Sequence, residues 1–323
     1  MVQIARRCIH AIGLLVAVVV LNFFLLQLAP GDPAQTIAGE MGGITEEMLA
    51  KIRADYGLDQ SLVSQLGTYL GRYLRFDFGY SFFFDSSVAD LIFSRVPATL
   101  LLVLSALFLA VTVGTLFGVI SAQKPNGWLS HLVTMVSIGG YSAPVFWIGL
   151  MLLVLFASII PLFPTQGMMD ISRDMSPFDR LLDVLRHLVL PTVTLAIIYL
   201  AQYSRLARAS MLETLGADYI RTARAKGLSE RTVIYKHALR NAVLPVITMA
   251  GLQFSQLFAG AVLVETVFNW PGMGRLAFDS ILRRDYPTIL GILFFSALIV
   301  IVANLLTDLT YRLIDPRIRT TNR

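Results

Sequence analysis

Apolar residues in this chain come in long unbroken runs, and the polar residues collect between them. Ile9 to Ala29 is almost wholly apolar and follows Arg6 and Arg7. It is longer than the core of a secretory signal and has no clean small-residue cleavage site, so it reads as an uncleaved first span. Ala98 to Ala122 carries no charge and follows Pro97, which suits a first helical position. His131 to Phe163 is also free of formal charge. As one straight helix it would be roughly 50 Å long, against a hydrocarbon core of about 30 Å. A kink or break is therefore expected near Gly139, Gly140 and Pro144. Leu188 to Tyr203, Ala242 to Val264 and Ile289 to Leu306 supply three further spans. The pattern predicts an all-α membrane protein with six transmembrane helices.

The remaining chain is not featureless. Residues 30–96 form a long segment between the first two spans, with two predicted helices. Thr45 is placed to cap one, with Glu46 and Glu47 in its first turn, a stripe of Ile44, Met48, Ile52 and Tyr56, and Gly57 at its end. Ser61 is placed to cap the other, with Leu62, Leu66, Tyr69, Leu70 and Tyr73 at helical spacing. The segment is expected to cap the bundle and to offer a docking surface outside the membrane. Between Arg205 and Arg240 the chain is basic. Asp218 to Lys226 reads as a short helix, Gly227-Leu228-Ser229 as a turn, and Glu230 to Arg240 as a helix capped by Ser229 and leading into the fifth span.

Composition agrees with the runs. Of 323 residues, 56% are hydrophobic and only 15% charged, where a soluble chain needs about a quarter charged. The net charge of +5 would suggest nucleic acid in a soluble protein, but here it follows from basic cytoplasmic loops. More than half of the 26 basic residues fall on the side that holds the N-terminus and the 205–240 loop. Among the acids, only Glu213, Asp218, Glu230, Asp308 and Asp315 join them. This predicts both termini inside. The single cysteine, Cys8, is a bystander, and no Cys/His spacing suggests a metal site. No phosphate loop, Ser/His/Asp set or His-Glu-x-x-His occurs, which argues against an enzyme and against nucleotide binding by this chain.

Several stretches resemble a known family. Asp218-Tyr219-Ile220-Arg221-Thr222-Ala223-Arg224-Ala225-Lys226-Gly227-Leu228-Ser229 resembles the coupling loop of ATP-binding-cassette importer permeases in its peptide-importer form. Arg221 and Thr222 stand where the wider superfamily has Glu-Ala, and only Ala223 and Gly227 match that general pattern. Leu28-Ala29-Pro30-Gly31-Asp32-Pro33 and the stretch from Val264 to Leu276, with Trp270, Pro271, Gly272 and Gly274, are similar to the same branch. Tyr56-Gly57-Leu58-Asp59-Gln60 and Phe76 to Ser81 add weaker agreement.

The resemblance runs nearly end to end. It implies the first of two permeases in a dipeptide, oligopeptide, nickel or glutathione importer of the bacterial inner membrane, with a type I bundle. Residues 1–29 would hold the N-terminus and first helix, and 30–96 a helical periplasmic insertion. Residues 97–312 would be the core with a coupling loop at 209–240, and 313–323 a cytoplasmic tail. Expected partners are a second permease, two ATP-binding subunits that use ATP and Mg, and a substrate-binding protein, with no cofactor on this chain. The coupling contact would use Asp218, Arg221, Ala223, Arg224, Lys226, Gly227 and Ser229. Gly227 there is a contact residue or an ordinary helix C-cap, while Ala223 and Ala225 would keep the contact face low. Trp270-Pro271-Gly272 would make a rigid outer turn, with Trp270 as an interfacial anchor.

Gln253 and Gln256, three apart in the fifth span, are candidates to line the pathway, or else hydrogen-bond between helices. An ATP-independent secondary transporter is the alternative from another class. It is disfavoured by the lack of an internal repeat and of any charge at the centre of a span.

Overall fold

The computed structural model describes residues 2–28, 34–35, 45–56, 59–125, 127–128, 130–133, 135, 139, 143–172 and 174–314. Ala29 to Pro33, Ile44, Gly57, Leu58, Gly140 and the end of the tail from Asp315 lie outside them. The chain divides into two compact units, residues 1–98 with 271–305 and residues 99–270 with 306–323.

In the first unit, helix α1 (Val2–Leu28) precedes α2 (Glu46–Tyr56) and α3 (Leu62–Leu74). Thr45 caps α2 as expected, its hydroxyl accepting from the Met48 N–H at 3.3 Å. Ser61 has the backbone of a cap (φ −62°, ψ 149°), but its hydroxyl makes no capping bond. The neighbouring Gln60 serves that end instead: its side-chain carbonyl accepts from Ser64, and its backbone carbonyl accepts from Gln65 Nε2. The apolar stripes are also shifted. Leu49 and Ile52 are buried while Met48 is exposed, and α3 buries Gln65 and Tyr73 while Leu62 faces out. The reason is that α3 packs on α1 through Gln65, whose Oε1 accepts from Gln27 Nε2 at 2.8 Å. A short hairpin, β1 (Tyr80–Ser81) with β2 (Ser86–Ser87), follows.

Helix α4 (Val88–Gln123) starts well before Pro97, which lies inside it. The expected start at Pro97 is therefore wrong. Ser87 sets the true beginning: its hydroxyl accepts from the Asp90 N–H at 3.1 Å and donates to the Asp90 carboxylate at 2.6 Å. That cap starts the helix ahead of the proline, which then lies inside it at the loss of one backbone bond. The first unit also holds α11 (Met273–Leu282) and most of α12 (Tyr286–Ile314). Asp285 caps α12, accepting from the Thr288 hydroxyl at 2.7 Å and from Ser81 Oγ at 2.5 Å. Leu26, Leu49, Ile52 and Leu290 share a core in this unit.

The second unit is built on the remainder of α4 and on α5 (Val145–Leu153), which continues as a π-helical turn, Val154–Ile159. Pro144 starts α5 with ψ 138°, so the expected break in the long apolar stretch falls at the proline. Next come α6 (Pro177–Leu215), α7 (Asp218–Ala225), α8 (Glu230–Thr232), a π turn (Val233–Ala238), α9 (Leu239–Ala242) and α10 (Leu244–Val267). Helix α6 absorbs residues 209–215 of the expected coupling loop, so the compact loop begins only at Gly216.

Among the described residues, five helices are long and apolar enough to cross a bilayer: Ile9–Leu28, Val88–Gln123, Pro177–Leu215, Leu244–Val267 and Tyr286–Thr307. The sixth expected segment is represented by the shorter apolar helix Val145–Ile159, roughly 22 Å long at the usual rise.

Candidate functional site

The residues between α6 and α10 form a rigid elbow. Ala217 adopts an extended conformation, so α7 leaves α6 at an angle, and Asp218 stands in its first turn. Ile220 and Ala223 are the two buried residues of α7. They share a core with Val119 and Ala122 of α4, Met211 of α6, and Val233, Ile234, Ala238 and Ala242 beyond the turn. Asp218, Arg221, Arg224, Ala225 and Lys226 are exposed. Ala223 therefore faces the elbow's own core and cannot supply a low outer contact face; of the two alanines only Ala225 is placed for that.

Gly227 makes the corner, with φ +77°. A side chain there would meet nothing within 4 Å. The glycine is required by conformation and not by close approach within this chain. Its N–H donates to the Arg224 carbonyl at 2.9 Å, which closes α7. Ser229 then caps α8, its hydroxyl accepting from the Thr232 N–H at 3.4 Å. Across the corner, Arg224 grips Glu230 with two parallel bonds, Nη2 to Oε1 at 2.7 Å and Nε to Oε2 at 3.2 Å. That hydrogen bond holds the Glu230 carboxyl below its ordinary range and raises the guanidinium. The clamp fixes the angle that the glycine permits.

The other candidates fall elsewhere in the chain. Gln253 is buried on α10, and its Nε2 donates to Gln202 Oε1 on α6 at 2.6 Å, while Gln256 is exposed. The pair of glutamines is thus split between a helix–helix bond and an open face. Trp270 is fully buried at 0% exposure, so it is a packed residue and not an interfacial anchor. Its backbone N–H donates to the Glu265 backbone carbonyl at 2.8 Å after Asn269 turns with φ +53°. Glu265 is itself fully buried and accepts from the Thr99 hydroxyl at 2.7 Å. Pro271 and Gly272 lead into α11, with Gly272 extended (φ −101°, ψ −179°) at its N-cap and Gly274 buried in its first turn.

Helix α4 also carries a close-packing signal in its sequence. Gly114 and Gly118 are four apart on α4, the spacing that lets two membrane helices touch backbone to backbone. A Cβ on Gly118 would lie 2.6 Å from the Ser204 carbonyl and 2.6 Å from Ala207 Cβ, both on α6.

Several helices long and apolar enough to cross a bilayer, together with one compact polar elbow, define a multi-pass membrane protein. The chain belongs to the family described as binding-protein-dependent transport system inner membrane component, whose model matches residues 114–320. Residues 1–103 match the N-terminal model of the same kind of membrane component. A probable peptide ABC transporter permease of Sinorhizobium fredii is 43% identical over 98% of this chain and 99% of its own. The di/tripeptide transport permease DppB of Pseudomonas aeruginosa is 42% identical over 98% of each chain. The oligopeptide transport permease AppB of Bacillus subtilis is 39% identical over 98% of each.

Proposed function

We propose that the chain is one permease half of an ATP-driven importer that carries di- or oligopeptides across the inner membrane. The observation that carries this is the clamped elbow at Gly227, in a chain about 40% identical over its whole length to peptide permeases. Both termini are inside, which puts the elbow on the cytoplasmic face. There Asp218, Arg221, Arg224, Lys226 and Ser229 meet a groove of an ATP-binding subunit, while Gly227 sets the corner that presents them. A second permease completes the pathway, two ATP-binding subunits use ATP and Mg, and an external binding protein delivers the solute. Binding and hydrolysis by those partners shift the bundle between inward- and outward-facing populations, because the elbow binds the motor differently in each.

Substitution Gly227→Trp tests this in the reconstituted complex. The space around Gly227 is open, but its φ of +77° strains any side chain, so co-purification of the partner subunits is checked before uptake is read. Peptide uptake should fall at least tenfold while ATP hydrolysis loses its dependence on the binding protein. Wild-type uptake would refute the lever. Uptake of nickel or glutathione in place of peptide would replace the substrate assignment and leave the lever standing.

A further inference from the structure

Helix α3 and the turn after it lie beside the spans, not above them. Helix α1 runs toward Leu28, and α3 returns antiparallel along it. Gln65 pairs with Gln27, and one turn further on the Tyr69 and Phe23 rings lie 5.7 Å apart. Phe23 is five residues inside the end of the first span, a depth of roughly 7 Å. The next turn goes further, with the Tyr73 ring 5.3 Å from Phe294 of α12. The corner at Phe76, which has φ +58°, brings that ring 6.4 Å from Phe295. The chain then climbs back, and Ser81 bonds Asp285 at the head of α12. Residues 62–81 thus descend and return.

The depth follows from helix lengths. The apolar span of α12, Tyr286–Thr307, has 22 residues, roughly 33 Å, against a hydrocarbon core of about 30 Å. With the excess shared between its ends, Phe294 lies roughly 10 Å below the hydrocarbon edge. An interfacial helix buries its apolar face about 5–10 Å into the headgroup–acyl boundary.

The surface at that depth suits lipid. Leu74 is 81% exposed, Phe76 50% and Phe93 53%, and the Phe93 ring lies 5.1 Å from Phe295. Val63, Gly67, Gly71 and Leu74 form one stripe of α3, and a Cβ on either glycine would meet nothing within 4 Å. The only charge within α3, Arg72, is bonded to Asp77 at 2.8 Å. Arg75, exposed at the corner, has the reach to place its guanidinium among phosphates. On α1, Phe24, Leu25 and Leu28 are exposed apolar residues as well.

We propose that residues 62–81 are a membrane wedge, with Leu74 and Phe76 seated in the leaflet on the insertion's side. The occupant of this face is the headgroup–acyl boundary of the bilayer, which holds the insertion at a fixed depth. The proposal rests on the spans alone and is independent of the transported solute.

Spin labels test it in the assembled complex in lipid nanodiscs. With Cys8→Ser removing the single cysteine, labels enter through Val63→Cys, Leu74→Cys and Tyr80→Cys, all at exposed positions. Accessibility to oxygen and to a water-soluble nickel chelate is calibrated against lipids labelled along the acyl chain. At Leu74 the oxygen-to-nickel ratio should be at least fivefold higher than at Val63 and Tyr80, giving a minimum of water access between them. Equal nickel access at all three sites would overturn the wedge. A Leu74 label shielded from both reagents would overturn it too, since a protein partner would then cover the face.

Discussion

Replacing Gly118 by valine should loosen the second unit more than any other single methyl-scale change in α4. The added Cβ would sit 2.6 Å from the Ser204 carbonyl, 2.6 Å from Ala207 Cβ and 2.8 Å from the Arg208 nitrogen. Ordinary contact begins at about 3.4 Å, so α4 and α6 must separate by roughly 0.8 Å or distort. Two of the three obstacles are backbone, which no rotamer change relieves. Overpacking of this kind costs about 1–3 kcal/mol, and valine's two further methyls place it at the upper end. For a chain of 323 residues that corresponds to a fall of about 3–5 °C in Tm. Thermal loss of the monodisperse peak in detergent measures it. Gly13→Val is the control, because nothing lies within 4 Å of a Cβ there. Gly118→Ala should fall between control and valine. If Gly118→Val melts with Gly13→Val, the close crossing inferred for α4 and α6 is wrong.

Glu230→Gln should speed amide exchange across residues 218–232 at neutral pH, by breaking the ionised half of the Arg224 clamp. In the wild type the Glu230 carboxyl is held down by Arg224. A lowered carboxylate contributes stability above its unfolded pKa and loses it as pH falls through the folded value. The extra protection is therefore whole above the ordinary value of 4.5 and fades below it, whereas Glu230→Gln shows no such acid limb once intrinsic exchange rates are removed. Gln253→Leu should destabilise by about 1 kcal/mol, since it strands Gln202, and adding Gln202→Leu should recover most of that loss. Recovery of both stability and uptake in the double variant means that the pair is structural. Altered uptake with full stability means that it lines the pathway.

The spans were legible because an apolar run long enough for a bilayer needs no tertiary context. Their ends were not, and for local reasons. At α4, Pro97 is a stronger letter than Ser87, yet Ser87 and Asp90 make two bonds that start the helix ahead of the proline. In the elbow, Ser229 and the corner at Gly227 follow from chemistry within a few residues, so the sequence shows them directly. The inward turn of Ala223 depends on Val119 and Met211, which are distant in the chain. Trp270 misled because an indole beside a span usually marks the interface, whereas here the Asn269 turn and the bond to Glu265 fold it inside. The packing face of α3 was set by Gln65, a polar residue that no hydrophobic stripe would select.

The elbow and the glycine crossing act as one mechanical piece. Val119 belongs to the elbow's core and is the residue after Gly118; Met211, in the same core, is one turn beyond Ala207. The Arg208 guanidinium adds a bond to the Pro125 carbonyl at 3.2 Å, tying α6 to the chain just past α4. Beyond the corner, the π turn carries Val233 and Ala238, both fully buried, so it is packed too tightly to serve as a hinge. Load on α7 passes through Ile220 and Ala223 into the core they share with Val119 of α4 and Met211 of α6. This couples two outcomes that would otherwise be independent. Gly118→Val should weaken transport coupling along with stability, and Ala207→Gly, which removes one of the three obstacles and neither backbone one, should recover only part of each, the two in step.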